Sequence, residues 1–205
     1  ARKGGNDAKP AISFAGHIDT VPLGLQPWTV DPFAADVSDG KLWGRGSSDM
    51  KSGVAAYVVA AMNLADKLEG TPGIELVIVA GEETGCDGSF DVAAKKGALG
   101  KGGALVVAEP TSNQLQVGHK GALWLRGISK GVTAHGSMPE EGDNAVFKAA
   151  RAISKLEDFE FNSARHETRG APARSIGSVN GGINVNSVPD RAEFTIDIRT
   201  IPQQD

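Results

Sequence analysis

The chain has 205 residues, 40% hydrophobic and 22% charged, with 21 Lys and Arg against 25 Asp and Glu for a net charge of -4. This suits one packed domain or one and a half, and it excludes wholesale disorder and the binding of polyanions such as nucleic acid by bulk charge. A single cysteine excludes an internal disulfide framework and a CxxC metal site, and no apolar run reaches the roughly 18 residues of a membrane helix.

In chain order, Ala11 to Phe14 form a short apolar run that ends in Gly16-His17-Ile18-Asp19. That pattern predicts a buried strand delivering polar side chains at its carboxyl end. A loop rich in Pro and Trp follows (Pro22, Pro27, Trp28, Pro32), with a turn at Asp39-Gly40. Gly44 to Asp49 then lead into a helix whose apolar face is Val54, Tyr57, Val58, Ala61, Met62, Ala65 and Leu68. Gly70-Thr71-Pro72-Gly73 stops it. Ile74 to Ala80 read as a strand covered on both faces, ending in Gly81-Glu82-Glu83. A second helix is predicted around Ser89 to Lys96, and Ala104 to Ala108 as another buried strand ending in Glu109. Strand, helix, strand, helix, strand predicts an α/β layer on a mostly parallel sheet.

The character changes after about Gln114, which places a boundary near 112–118. The domains are taken as 1–115 and 116–205. Gln114 to Val117 and Ala122 to Arg126 alternate like half-exposed strands. Asn144 to Leu156 are helical, and Arg174 to Val179 and Ala192 to Arg199 are strands again, which makes an α+β sandwich unit. Asn162 to Pro172 is the most polar segment.

Three predicted strands end in His17 and Asp19, in Glu82 and Glu83, and in Glu109. Ligands of open α/β sheets bind beyond the carboxyl ends of the strands. A neutral imidazole suits zinc, and a carboxylate two residues on can hold its other ring N–H. Asp49 stands at a helix start, where a carboxylate either caps the helix or bridges two cations roughly 3.5–4 Å apart. Two adjacent acids at a buried sheet end repel unless something cationic compensates. One of them can ligate while the other takes a proton from water. Taken together, one imidazole and several carboxylates suit a pair of divalent metals, and mixed nitrogen and oxygen ligands admit zinc, cobalt or manganese.

Three segments also carry a resemblance: Gly16-His17-Ile18-Asp19-Thr20-Val21-Pro22, Gly44-Arg45-Gly46-Ser47-Ser48-Asp49-Met50-Lys51-Ser52-Gly53 and Gly81-Glu82-Glu83-Thr84-Gly85. In order and spacing they resemble the metal-dependent aminoacylase and exopeptidase family. That family contains acetylornithine deacetylase, succinyl-diaminopimelate desuccinylase, aminoacylase-1 and the glutamate carboxypeptidases. The resemblance implies a metallohydrolase catalytic domain followed by a dimerisation or lid domain, each partial. It implies that His17 and Glu109 bind one metal, Asp49 bridges both, Glu83 binds the second, Asp19 orients His17 and Glu82 is the general base and acid. It implies two zinc ions and a cis peptide between Asp49 and Met50.

In the second domain, Ala134-His135-Gly136-Ser137-Met138-Pro139 resembles the lid loop whose His stabilises the developing oxyanion in the partner subunit. Asn186 and Arg199 resemble groups that hold the substrate carboxylate, which an Arg fork fits bidentately. The implied activity is hydrolysis of the amide bond of N-acyl amino acids, acetylornithine deacetylase-like. A dipeptidase or carboxypeptidase is the alternative, and a non-catalytic metal-binding module is a further one. A small substrate, a homodimer through the lid and a cytoplasmic location are the remaining expectations, with neither nucleic acid nor membrane as partner. His119 and His166 match no ligand position, and Cys86 reads as structural. The family's last metal-ligand His has no candidate after His166, and the chain is expected to lack part of its N-terminus and a long C-terminal stretch. Such a segment alone is expected to hold one metal better than two and to act weakly.

Overall fold

The computed structural model describes residues 1–5 and 9–204. Its elements are β1 (Arg2–Lys3), β2 (Ala11–His17), β3 (Val37–Ser38), β4 (Lys41–Leu42), α1 (Ser52–Leu64), β5 (Ile74–Val79), α2 (Asp87–Ala94), β6 (Gly102–Val107), β7 (Gly121–Lys130), α3 (Ala145–Glu157), β8 (Ala173–Gly181) and β9 (Arg191–Thr200). They divide into two units, Ala1–Leu115 and Gln116–Asp205. No helix among the described residues is long and apolar enough to cross a membrane.

In the first unit, the apolar runs between Gly- and Pro-rich turns form a sheet of order β1-β5-β2-β6. β2 runs parallel to β5, from Ile12↔Ile74 to His17↔Val79, and parallel to β6, from Ile12↔Ala104 to Ala15↔Val107. β1 is antiparallel to β5. The two parallel registers bring the carboxyl ends of β2, β5 and β6 to one edge of the sheet. The sheet carries a buried acid, Glu75, which accepts from Arg2 Nε at 2.6 Å, Ser13 Oγ at 3.0 Å and the Gly100 N–H at 2.8 Å. Asp39-Gly40 form the turn of the small β3–β4 hairpin, both with positive φ, as Asn/Asp-Gly pairs do.

α1 covers one face of the sheet. Met50, Val54 and Tyr57 form a buried cluster against Phe14, Val58, Leu76 and Ala108. The predicted apolar stripe is longer than this contact, and Met62 is 71% exposed. Among the described residues the sheet has three long strands, which offer α1 too little surface for a stripe of that length. The predicted buried strand near Ala104–Ala108 is also corrected. β6 is the edge of the sheet and all six of its residues are exposed, Leu105 by 63%. Its apolar composition fits a covered strand, but the α1 cluster reaches only Ala108 beyond its end.

The second unit is an antiparallel sheet of order β7-β9-β8 with α3 on one face. Its core is Ala145, Ala149, Ala192, Phe194 and Ile196, with Val146, Ile153, Leu156, Ile176 and Ile198 around it. α3 starts at an N-cap. Asn144 Oδ1 accepts from the N–H groups of Val146 at 2.9 Å and Phe147 at 3.1 Å, which satisfies two of the orphan donors of the first turn. Gln114 to Val117 are not a strand. Leu115 is 91% exposed, and among the described residues no strand pairs with the alternation there. Fold class is as the sequence predicts: α/β with a mostly parallel sheet, then α+β.

Candidate metal centre

The site is built at the carboxyl edge of the first sheet. β2 ends in His17, which is 1% exposed. Nδ1 of its ring faces two acceptors from Asp19, the backbone carbonyl at 3.0 Å and Oδ1 at 3.3 Å. Acceptors on that side place the ring proton on Nδ1 and leave the Nε2 lone pair facing inward. Nε2 looks at three carboxylates: Asp49 Oδ1 at 3.4 Å, Glu109 Oε1 at 3.5 Å and Glu82 Oε2 at 3.8 Å. It is buried and has no hydrogen-bond partner, as is Glu83 Oε1.

Each acid arrives by its own route. Asp49 lies in an irregular turn, Ser47–Lys51, with non-helical backbone angles and a cis peptide to Met50. Glu109 follows β6. Glu82 and Glu83 lie where the chain bends after β5: Gly81 has φ 78°, the Gly85 and Cys86 N–H groups close back on the Glu82 carbonyl, and α2 begins. The bend is held by Asp19. Its Oδ1 accepts from the Glu82 N–H at 3.3 Å and its Oδ2 from the Glu83 N–H at 3.2 Å. Asp19 thus touches the imidazole and both acids' backbones at once.

The electrostatics fit a cation. Burial pushes the Glu83 carboxyl above its ordinary value, and the charges of Asp49 and Glu82 push it further. Burial and then Asp49 do the same to Glu109. Burial alone would lower His17. The Glu109 carboxylate, the Asp19 carbonyl, and the Glu82 and Asp19 carboxylates outweigh it, so the imidazolium is held above its ordinary value. Burial would likewise raise Asp19, but the N–H groups of Glu83 and Glu82 outweigh it and hold Asp19 low. A buried lone pair aimed at a cluster of carboxylates is repulsive in the absence of a positive charge. A divalent cation supplies that charge, and the donor set of one imidazole nitrogen with several carboxylate oxygens is what zinc, cobalt or manganese accepts. Two groups have their ligand atoms close enough to hold an ion: His17, Glu82 and Glu109, and His17, Asp49 and Glu83. Glu82 therefore lies among the prospective ligand atoms as well as beside them.

The other residues singled out by sequence lie in the second unit. The Gly136 N–H donates to the Asn186 carbonyl at 2.7 Å, and His135 bridges to Ser187, so the His135 loop and the Asn186 segment adjoin. The His135 ring itself is exposed, with Nδ1 at 2.8 Å from Ser137 Oγ. Arg199, near the end of β9, is engaged by its own strand: Nε donates to Asp197 Oδ2 at 2.9 Å. The ring of His119 lies against the Lys120 carbonyl and that of His166 against the Thr168 and Arg169 N–H groups, while the His119 carbonyl accepts from Arg169 Nε. Nothing in the sequence pattern marks Met50 as part of the site. Yet it is fully buried, and its sulfur accepts the His17 backbone N–H at 3.3 Å. Its place next to Asp49 is the only signal.

A family model described as Peptidase family M20/M25/M40 matches residues 13–200. The chain is 32% identical to a probable succinyl-diaminopimelate desuccinylase of Staphylococcus aureus, over 96% of this chain and 54% of that protein. It is also 32% identical to a succinyl-diaminopimelate desuccinylase of Cereibacter sphaeroides, over 97% and 54%. The chain thus spans about half the length of the curated relatives it matches. Among solved structures, an M20 family metallo-carboxypeptidase from Sulfolobus solfataricus superposes with a TM-score of 0.71 at 20% identity, covering 97% of this chain and 59% of that one. A di-peptidase from Saccharomyces cerevisiae gives 0.72 at 17% identity, covering 100% and 56%. Identities that low speak for the fold alone. The family match, by contrast, spans the strands, the turn and the bend that carry His17, Asp49, Glu82, Glu83 and Glu109, and on that extent the chain belongs to peptidase family M20/M25/M40.

Proposed function

We propose that the whole protein hydrolyses the amide bond of N-acyl amino acids at a divalent metal centre, with Glu82 as general base and acid. The observation that carries this reading is the buried, unpartnered Nε2 of His17 facing the carboxylates of Asp49, Glu82 and Glu109. His17 and Glu109 would hold one ion, Glu83 a second, and Asp49 would lie between them, with zinc as the expected metal. Bound ions of this kind supply Lewis acidity toward the acyl oxygen and offset the negative charge that builds up there. Glu82 takes a proton from water as the water attacks the acyl carbon, and returns it to the departing amine nitrogen. Asp19 keeps the His17 ring proton on Nδ1 and anchors the Glu82 and Glu83 backbone.

His135 is proposed to stabilise the developing oxyanion, and Asn186 and Arg199 to hold the substrate carboxylate. Arg199 is paired with Asp197, so a substrate carboxylate would share or displace that partner. A homodimer through the second unit belongs to the same reading. The acetylornithine deacetylase-like specificity is one form of it. The relatives named as desuccinylases favour an N-succinyl substrate as the other.

The test is hydrolysis of N-acetylornithine and of N-succinyl-diaminopimelate by the whole protein supplied with zinc. Glu82→Gln should lower turnover about 10²- to 10⁴-fold while metal uptake persists. A protein that binds zinc and cleaves neither substrate would favour the dipeptidase or non-catalytic alternatives. Unchanged turnover in Glu82→Gln would remove the base from the mechanism.

A further inference from the structure

Met50 and His17 are the largest side chains that the first unit encloses fully. On the β6 side of β2, the ladder ends where the Ala108 N–H donates to the Ala15 carbonyl at 3.4 Å. Two residues on, the His17 N–H faces the same side, where another carbonyl of that ladder would be its partner. It donates instead to Met50 Sδ, 3.3 Å away. The end of the same side chain lies over Gly16: a Cβ there would come within 2.6 Å of Met50 Cε. Ala108, the residue before Glu109, packs on the Met50 cluster. Met50 thus fills the place where β2 and β6 stop pairing, and it is bonded in sequence to Asp49. A thioether is a weak acceptor, but a buried N–H with no acceptor is costly. An unbranched, polarisable side chain is the kind that reaches into so irregular a gap.

We propose that Met50 is a positioning residue of the metal centre. Its sulfur fixes the His17 backbone while its own backbone carries Asp49. One buried side chain thereby sets the 3.4 Å separation of His17 Nε2 and Asp49 Oδ1. The inference rests on the metal-centre reading and adds to it a residue that ligates nothing.

Cobalt(II) is the probe, because its visible spectrum reports ligand geometry as well as occupancy. Three forms of the 205-residue chain are titrated: wild type, Met50→Leu and Val54→Ala. Met50→Leu nearly conserves volume but removes the acceptor. Val54→Ala trims the same core and leaves the N–H···S bond in place. Met50→Leu is expected to bind cobalt roughly 10-fold more weakly, as loss of a ligand-orienting group does, with an altered spectrum. Val54→Ala should melt at a lower temperature yet bind as wild type does. Equal affinity and an unchanged spectrum in Met50→Leu would overturn the assignment, as would affinities that merely follow melting temperature in both variants. A wild-type chain that takes up no cobalt would overturn the metal-centre reading itself, and the assignment with it. If Met50→Leu does not fold, hydrogen exchange at the His17 amide of the wild type decides. Slow exchange, comparable to its neighbours in β2, is expected, and exchange as fast as an open loop amide would overturn the sulfur bond.

Discussion

Without a metal, the site favours the protonated forms of His17, Glu83 and Glu109 more than water does. His17 is held above its ordinary value, so its contribution to stability is complete below about pH 6.5 and is lost as pH rises through its folded-state value. Glu83 and Glu109 are raised as well. The folded state resists their ionisation, so stability falls as pH rises from about 4.3, the ordinary glutamate value. Asp19 is held low, and its contribution persists throughout this range and disappears only in stronger acid. The metal-free chain, kept so by a chelator, should therefore melt at progressively lower temperature from about pH 5 to about pH 8. A bound divalent cation selects the deprotonated ligands, so zinc should flatten or reverse that slope. Thermal melts with and without zinc across this range check it, and a chelated chain that gains stability toward pH 8 would contradict the electrostatics of the site. At this scale much was legible in the sequence, because His17, Glu82, Glu83 and Glu109 all stand at the ends of apolar runs, where a sheet delivers ligands. The grip of Asp19 on two amides beyond β5 was not legible, nor was the sulfur of Met50, since neither leaves a pattern in local spacing.

Close approach of elements, more than helix or strand preference, assembles the site. Gly53, in the first turn of α1, shows this most directly. A Cβ at Gly53 would lie 2.1 Å from the carbonyl oxygen of Ala108, the residue before Glu109. Replacing Gly by Ala inside a helix ordinarily gains about 1 kcal/mol from propensity. Overpacking ordinarily costs about 1–3 kcal/mol, and a backbone carbonyl held next to a sheet edge cannot swing away as a side-chain tip can. The second effect wins. Gly53→Ala should lower the unfolding free energy by about 1–2 kcal/mol in urea titration and weaken zinc binding, because α1 and Glu109 are driven apart. A variant as stable as wild type, with intact zinc affinity, would show that the α1–β6 contact is looser than it looks. The elements themselves followed from periodicity, with α3 one residue later than its predicted start because Asn144 serves as cap. What periodicity could not supply was coverage. Leu105, Val106 and Val107 have the composition of a buried strand, yet they are exposed on β6. The alternating Gln114 to Val117 pair with no strand among the described residues.

For the whole chain, the decisive fact is that each unit has its own core and, among the described residues, the clusters able to hold a cation lie in the first. Met50, Val54 and Tyr57 pack beneath the site in the first unit, while Ala145, Ala149, Ala192, Phe194 and Ile196 form the core of the second. His17, Asp49, Glu82, Glu83 and Glu109 all belong to residues 1–115. A ligand that binds only the folded form stabilises it by about 2.7 kcal/mol at a hundred times its dissociation constant, and it does so only for the structure whose opening would release it. Zinc should therefore slow amide exchange in β2, in β5, at the bend that follows it and at the start of α1, leaving exchange in α3, β7, β8 and β9 unchanged. Hydrogen exchange read by mass spectrometry, with and without zinc, resolves the two sets of peptides. A gain confined to the first set would mean that the metal centre and its supporting core open as one body. An equal gain in both sets would mean that the second unit cannot open while the first is held shut, and the two cores would then have to be treated as a single cooperative structure.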